Sequence, residues 1–213
     1  MKRVVTILFG AIFFGLAWTA YAQTPQEIVD RMEEAMEKHE PEGIVMIIDV
    51  KVPIVGTMTT KSYSLGDKLR VEAKMLGVEL ITWSDGTTEW TYNSKSNEVE
   101  IDNDSGSAAE DSGDTEMFSG ITDGYDLSIQ KETADAWYLK CKKSKTNTDK
   151  DAPKTIDLVI AKGTYYPISL STKVSGVSMT MREISFGVPE SMVTFNINDY
   201  PDAKVVDKRN AQK

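Results

Sequence analysis

One cysteine and one histidine in 213 residues leave this chain short of the equipment on which most catalysis depends. A single thiol can form no internal disulfide, so an exported fold built on this sequence must rest on its apolar core. Cys141 alternates with Trp137 and Leu139 and reads as a small buried hydrophobe, not a nucleophile. His39 falls at the end of a charged stretch, where it reads as a solvated residue, and general-base work would need a partner that the sequence does not offer. Also missing are a Gly-x-Ser-x-Gly elbow, a His-Glu-x-x-His pair, a Cys-x-x-Cys pair and a phosphate-cradling glycine loop. Carboxylates are so numerous that any two could be nominated as an acid–base pair, which makes their presence uninformative. Asp102-x-Asp104-x-Gly106 faintly resembles a calcium loop. Its glycine comes one position early and its twelfth position is Gly113 where a glutamate belongs, so a flexible acidic loop is the better reading. We therefore expect no enzyme, no metal site and no cofactor.

Positive charge is scarce: 24 basic residues stand against 33 acidic ones, a formal charge of −9. Such a surface repels nucleic acid and anionic headgroups, which argues against a nucleic-acid partner or a polybasic membrane mode. A long apolar run is absent too. Val4 to Trp18 falls short of the ~20 residues that span a bilayer. It lies between a basic head, Met1-Lys2-Arg3, and a small-x-small site, Ala20-Tyr21-Ala22, which is the layout of a secretory signal peptide over residues 1–22. The residue after the expected cut is Gln23, not cysteine, so no lipid anchor is expected there. Residues 23–213 are then expected to form one periplasmic domain, a monomer more acidic than the precursor by the loss of Lys2 and Arg3.

What remains is one helix and many strands. Thr24-Pro25-Gln26-Glu27 is a capping box with proline in the first turn. Ile28, Met32 and Met36 then recur on one face until Pro41 and Gly43. From Gly43 the apolar period shifts to two, giving about twelve strands at hairpin spacing. Expected strands run from Ile44 to Val52, Gly56 to Ser64, Leu69 to Met75, Val78 to Ser84, Thr87 to Asn93 and Glu98 to Ile101. A second group runs from Tyr125 to Lys131, Ala136 to Lys143, Thr155 to Ala161, Tyr165 to Val174, Val177 to Phe186 and Met192 to Ile197. Asp85-Gly86 predicts a type I′ hairpin. The acidic segment Asp102–Glu116 separates the two groups, Met117-Phe118 suggests a turn of helix after it, and the tail from Tyr200 reads as extended. The fold class expected is mainly β with an N-terminal helix: a curved antiparallel meander forming a half-open barrel covered by that helix.

Methionine recurs on these elements, and its flexible, polarizable side chain suits either ordinary core filling or a wall that adapts to variable apolar shapes. Arg70-Val71-Glu72, followed by Leu80 to Asn93 with Ser84-Asp85-Gly86 and Trp90-Thr91-Tyr92-Asn93, resembles the signature stretch of the LolA-like outer-membrane lipoprotein carrier family. Tyr165-Tyr166-Pro167 is similar to that family's turn into a late strand, and Val193-Thr194-Phe195-Asn196 to its closing strand. The sequence departs from the family at Val71, where an aromatic residue is common, and at Leu65-Gly66-Asp67, where a proline-containing lead-in is usual. The resemblance implies a carrier that shields the acyl chains of lipoproteins, or of a related lipid, on the way to the outer membrane. Its partners would be an inner-membrane export complex and an outer-membrane acceptor. The alternative is an envelope lipid sensor or interaction module on the same fold. The expected cavity wall comprises Ile28, Met32, Met36, Met46, Leu69, Val71, Met75, Trp90, Met179 and Met181. Alternation alone leaves open which sheet face is inside, and Trp90 with Tyr92 fits cross-strand packing as well. By its match to the family's arginine, Arg70 would latch the lid over the empty cavity; otherwise it shares a solvated face with Lys68 and Lys74.

Overall fold

The computed structural model describes residues 23–104 and 118–209. The expected signal peptide, its cleavage point after Ala22, and the part of the acidic segment that holds Gly106 and Gly113 lie outside those residues.

Helix α1, Pro25–His39, begins as its sequence dictates. Thr24 Oγ1 accepts from the Glu27 N–H at 3.2 Å, while Glu27 Oε2 accepts from the Thr24 N–H at 2.8 Å. A 3₁₀ turn, Glu40–Glu42, and Gly43 at φ +73° end it. A Cβ at Gly43 would lie 2.4 Å from the Ser64 carbonyl oxygen, so both the dihedral and the close approach demand glycine.

Strands β1 (Ile44–Val52), β2 (Gly56–Leu65), β3 (Lys68–Met75), β4 (Val78–Ser84), β5 (Thr88–Asn93) and β6 (Glu98–Asn103) form a first meander. Strands β7 (Tyr125–Glu132), β8 (Ala136–Lys143), β9 (Thr155–Ala161), β10 (Pro167–Val174) and β11 (Val177–Phe186) form a second. After them come a one-turn helix α2 (Glu190–Val193), a 3₁₀ turn (Ile197–Asp199) and β12 (Lys204–Asp207). All twelve strands make one sheet in the order β12-β6-β5-β4-β3-β2-β1-β11-β10-β9-β8-β7. The pairing of β1 with β11 joins the meanders, and the ends of the order do not meet, so this is the expected curved, half-open sheet and not a closed barrel.

Three local expectations are corrected. Met192 to Ile197 is not a strand: Pro189 starts the α2 turn, Val193 is buried and Phe195 stacks on the Trp90 ring. Its apolar residues serve as cover for a face, not as a ladder. The twelfth strand is instead β12, in the tail, and it joins β6 in parallel. The β4–β5 turn is not type I′, which needs positive φ at both central residues. Only Gly86, at φ +79°, has it, and Asp85 accepts from the Thr87 and Thr88 N–H groups at 3.0 and 2.8 Å as an Asx turn.

Directly paired residues in neighbouring antiparallel strands point to the same side. Ile48, Met181, Leu170, Leu158, Leu139 and Ile129 therefore make one apolar row across β1 and the second meander. Helix α1 lies on it, with Ile28, Val29, Met32 and Met36 in the same buried cluster as Met46, Ile48 and Met181. The opposite face carries the row Val45, Tyr63, Arg70, Trp83, Trp90 and Ile101, covered over part of its length by the segment from Val188 to Tyr200.

Candidate functional site

Facing α1, the two halves of the sheet differ in chemistry. Under the helix the floor is aliphatic and methionine-rich. Beyond Met46 the same face continues through Ser62, Val71, Thr82 and Thr91 in one row, and through Ser64, Leu69 and Ser84 in the next. Ser62, Ser64 and Ser84 are buried, and the Thr82 and Thr91 hydroxyls bond to each other at 3.2 Å. These small side chains are covered, with Ser62 and Ser64 at 1% and 7% exposure and the Ser84 hydroxyl bonded to Asp104. A lane of low side-chain volume thus adjoins an adaptable methionine interface.

Tyr165 and Tyr166 fasten α1 over this face. Tyr165 Oη accepts from Arg31 Nη1 at 2.8 Å and from Gln23 Nε2 at 2.9 Å, and its ring stacks on Trp137. Tyr166 Oη meets His39 Nε2 at 2.5 Å, while His39 Nδ1 bonds Glu42 and the imidazole stacks on Phe186. His39 is consequently a half-buried clasp at the helix end, not the solvated residue its neighbours in sequence suggest. Phe118, fully buried in the same cluster, brings the chain between β6 and β7 under the helix in a turn. There the Gly120 N–H donates to Glu33 Oε1 at 3.1 Å. Burial pushes the Glu33 carboxyl above its ordinary range, with that hydrogen bond opposing.

Of the ten residues expected to line one wall, nine lie on α1 or on the sheet face that meets it. Ile28, Met32, Met36, Met46 and Met181 are buried together, and Met179 packs against them half-buried. Leu69 is buried and Val71 half-buried in the small-residue lane. Met75 has the right parity but sits exposed at the end of β3. Trp90 points to the opposite face, stacked on Phe195 at 5.4 Å between centroids. Arg70 lies there as well, so it does not reach the helix. Its guanidinium covers the Trp83 ring at 5.1 Å, bonds Met192 Sδ at 3.1 Å and pairs with Glu72 at 2.7 Å. Parity was visible in the sequence, but which parity faced α1 was not. The fastening itself comes from Tyr165-Tyr166, whose only sequence signal was two adjacent aromatics before a proline. Cys141 is fully buried beside Leu139 and Leu158, and burial, aided by Asp157, holds its thiol up at about 11.

No protein-family model matches the sequence, and neither does any curated protein. Solved structures do. The Mycobacterium tuberculosis lipoprotein LppX aligns at a TM-score of 0.51 and 11% identity, over 78% of this chain and 98% of that one. An uncharacterized conserved protein from Thermus thermophilus aligns at 0.47 and 18% identity, over 87% and 99%. A LolA superfamily protein from Nitrosomonas europaea aligns at 0.34 and 12% identity, over 82% and 99%. At these identities the likeness is one of fold alone, and LppX carries it. This chain thus has the fold of that lipoprotein, a curved sheet under one N-terminal helix.

Proposed function

We propose that this protein is a non-enzymatic carrier in the cell envelope that holds the acyl chains of a lipoprotein, or of a related lipid, between α1 and the sheet. The observation that carries this reading is the methionine interface of Met32, Met36, Met46, Met179 and Met181 beside the small-residue lane. Each CH₂ withdrawn from water contributes ~0.8 kcal/mol, so one long acyl chain presents on the order of 10 kcal/mol of apolar surface to be covered. A carrier must cover it and still let go, and methionine walls repack at low cost when a helix lifts. The tyrosine fastening suits a cover that opens as a unit. The two residues most often recruited for nucleophilic or acid–base work, Cys141 and His39, are committed to the core and to the clasp. The fold shared with the lipoprotein LppX and the expected signal peptide are in keeping with work outside the cytoplasm.

Native mass spectrometry of protein purified without detergent tests the proposal: about one lipid or acylated peptide per chain is expected, displaced when Val71→Trp fills the lane. Removal of the protein from its cell should strand lipoproteins at the inner membrane. A preparation that is free of lipid and takes up none from micelles overturns the reading. Normal lipoprotein sorting with altered envelope signalling would assign the fold to a sensor instead.

A further inference from the structure

The hairpin turns at one end of the sheet carry side chains that ordinary turns avoid. The β1–β2 turn displays Ile54 and Val55, with 108% and 79% relative exposure, and the β3–β4 turn displays Met75 and Leu76, with 51% and 97%. Ile54 and Leu76 hold φ at +73° and +51°, a region where glycine or asparagine sits at far lower cost and a β-branched residue is a genuine outlier. Two turns thus keep a strained backbone and a fully exposed apolar tip together. Strand direction places both turns on the same rim as the β10–β11 turn and the β8–β9 loop. The Pro53 ring is 3.8 Å from where a Cβ on Gly176 would be.

Beside the tips, that loop and that turn border a half-open cavity of about 510 Å³ lined by Lys143, Lys150, Pro153, Lys154, Lys173 and Val174. Tyr125 Oη donates to the Pro153 carbonyl at 2.9 Å and holds the loop in place. Lys143 donates to the Asp149 carbonyl. Lys150, Lys154 and Lys173 form no ion pair among the described residues. Across residues 51–56, 74–79, 143–154 and 173–177, seven lysines stand with Glu79, Asp149 and Asp151, in a chain whose net charge is −9, while Lys95, Asp123, Asp126 and Asp202 lie farther along the same rim. Lysine has been gathered on one rim of an acidic protein, around a cavity and next to apolar tips.

We propose that this rim docks on the anionic face of a lipid bilayer. A lipid phosphate enters the lysine-lined cavity, and Ile54, Val55, Met75 and Leu76 enter the headgroup–acyl boundary. The net charge still forbids binding by the surface at large, so contact occurs in one orientation only. The inference concerns the rim and does not depend on an acyl chain entering beneath α1.

Co-sedimentation of the full chain with vesicles tests it. One set contains one third phosphatidylglycerol in phosphatidylcholine, the other phosphatidylcholine alone, both at about 0.1 M salt. The wild type should pellet with the anionic set and much less with the neutral one. Each lysine at such a surface is worth about fivefold in partition, so Lys150→Gln/Lys154→Gln/Lys173→Gln should weaken anionic binding about 100-fold. Ile54→Ser/Leu76→Ser should weaken binding to both sets. Every variant keeps the same N-terminus, so differences report the rim, and unchanged circular dichroism and thermal midpoints verify the fold. Equal pelleting of all variants, no pelleting of the wild type, or binding of inorganic phosphate without vesicle binding overturns the proposal.

Discussion

A single tyrosine hydroxyl decides whether α1 is fastened at its start, and another decides its end. Tyr165→Phe/Tyr166→Phe removes the bonds to Arg31, Gln23 and His39 while leaving the rings in place. We expect the double variant to lose about 1–2 kcal/mol in urea unfolding and to exchange a fluorescent fatty acid several-fold faster by stopped flow. Arg70→Ala makes the opposite test. It strips the cation from the Trp83 face and removes the Glu72 ion pair, leaving Lys61 as the cation across from that carboxylate, at a cost of about 1 kcal/mol. Because Arg70 is on the face away from α1, lipid content and exchange should not change. A marked gain in exchange would restore the latch that family resemblance assigned to it. Cys141, with its thiol at about 11, should resist iodoacetamide at pH 8 until denaturant is added. Residue types alone made Cys141 legible, since alternation with Trp137 and Leu139 marks a buried parity. They did not reveal Tyr165 or His39, whose partners are more than a hundred positions away in the chain.

At the scale of elements, α1 and eleven of the strands could be read from periodicity, because half-buried sheet and amphipathic helix write their burial directly into the sequence. The segment from Met192 to Ile197 could not. Val193, Phe195 and Ile197 alternate as a strand would, yet Val193 and Phe195 pack on a sheet face and Ile197 is exposed, and only tertiary context separates a cover from a ladder. β12 was hidden for the converse reason: a short, mostly exposed strand held by Lys204–Glu98 and Lys208–Glu100 has little apolar pattern to show. Strand β1 is tied to β11 by Asp49 and Arg182 as well as by its ladder, at 2.7 Å. Hydrogen bonds from Arg182, then Thr59, hold the Asp49 carboxyl below its ordinary value. A depressed folded-state value means that the contribution is complete above about pH 4 and is lost as the pH falls further. Asp49→Asn should therefore lower the thermal midpoint at pH 7, and the difference from wild type should shrink as the pH is taken below about 4, measured by circular dichroism. An equal drop throughout would show that Asp49 acts through neutral hydrogen bonding alone.

For the molecule as a whole, the site was legible as a class of surface and not as a place. Sequence showed two faces and many methionines; it took the pairing register to put six of the seven sheet residues of the wall on the α1 side and Trp90 on the other. A ligand held between α1 and the sheet links the two meanders, so bound lipid should raise the thermal midpoint in proportion to the logarithm of its free concentration, a shift absent from Val71→Trp. Such a sheet also has one pairing that spans most of the chain. Ile44 finds its β11 neighbour at Phe186, near the far end of the polypeptide, so the middle of the sheet cannot zip until almost everything has been made or delivered. Were the chain exported as proposed, it would gain from this: the keystone arrives last, and premature closure on the wrong side has no seam to close.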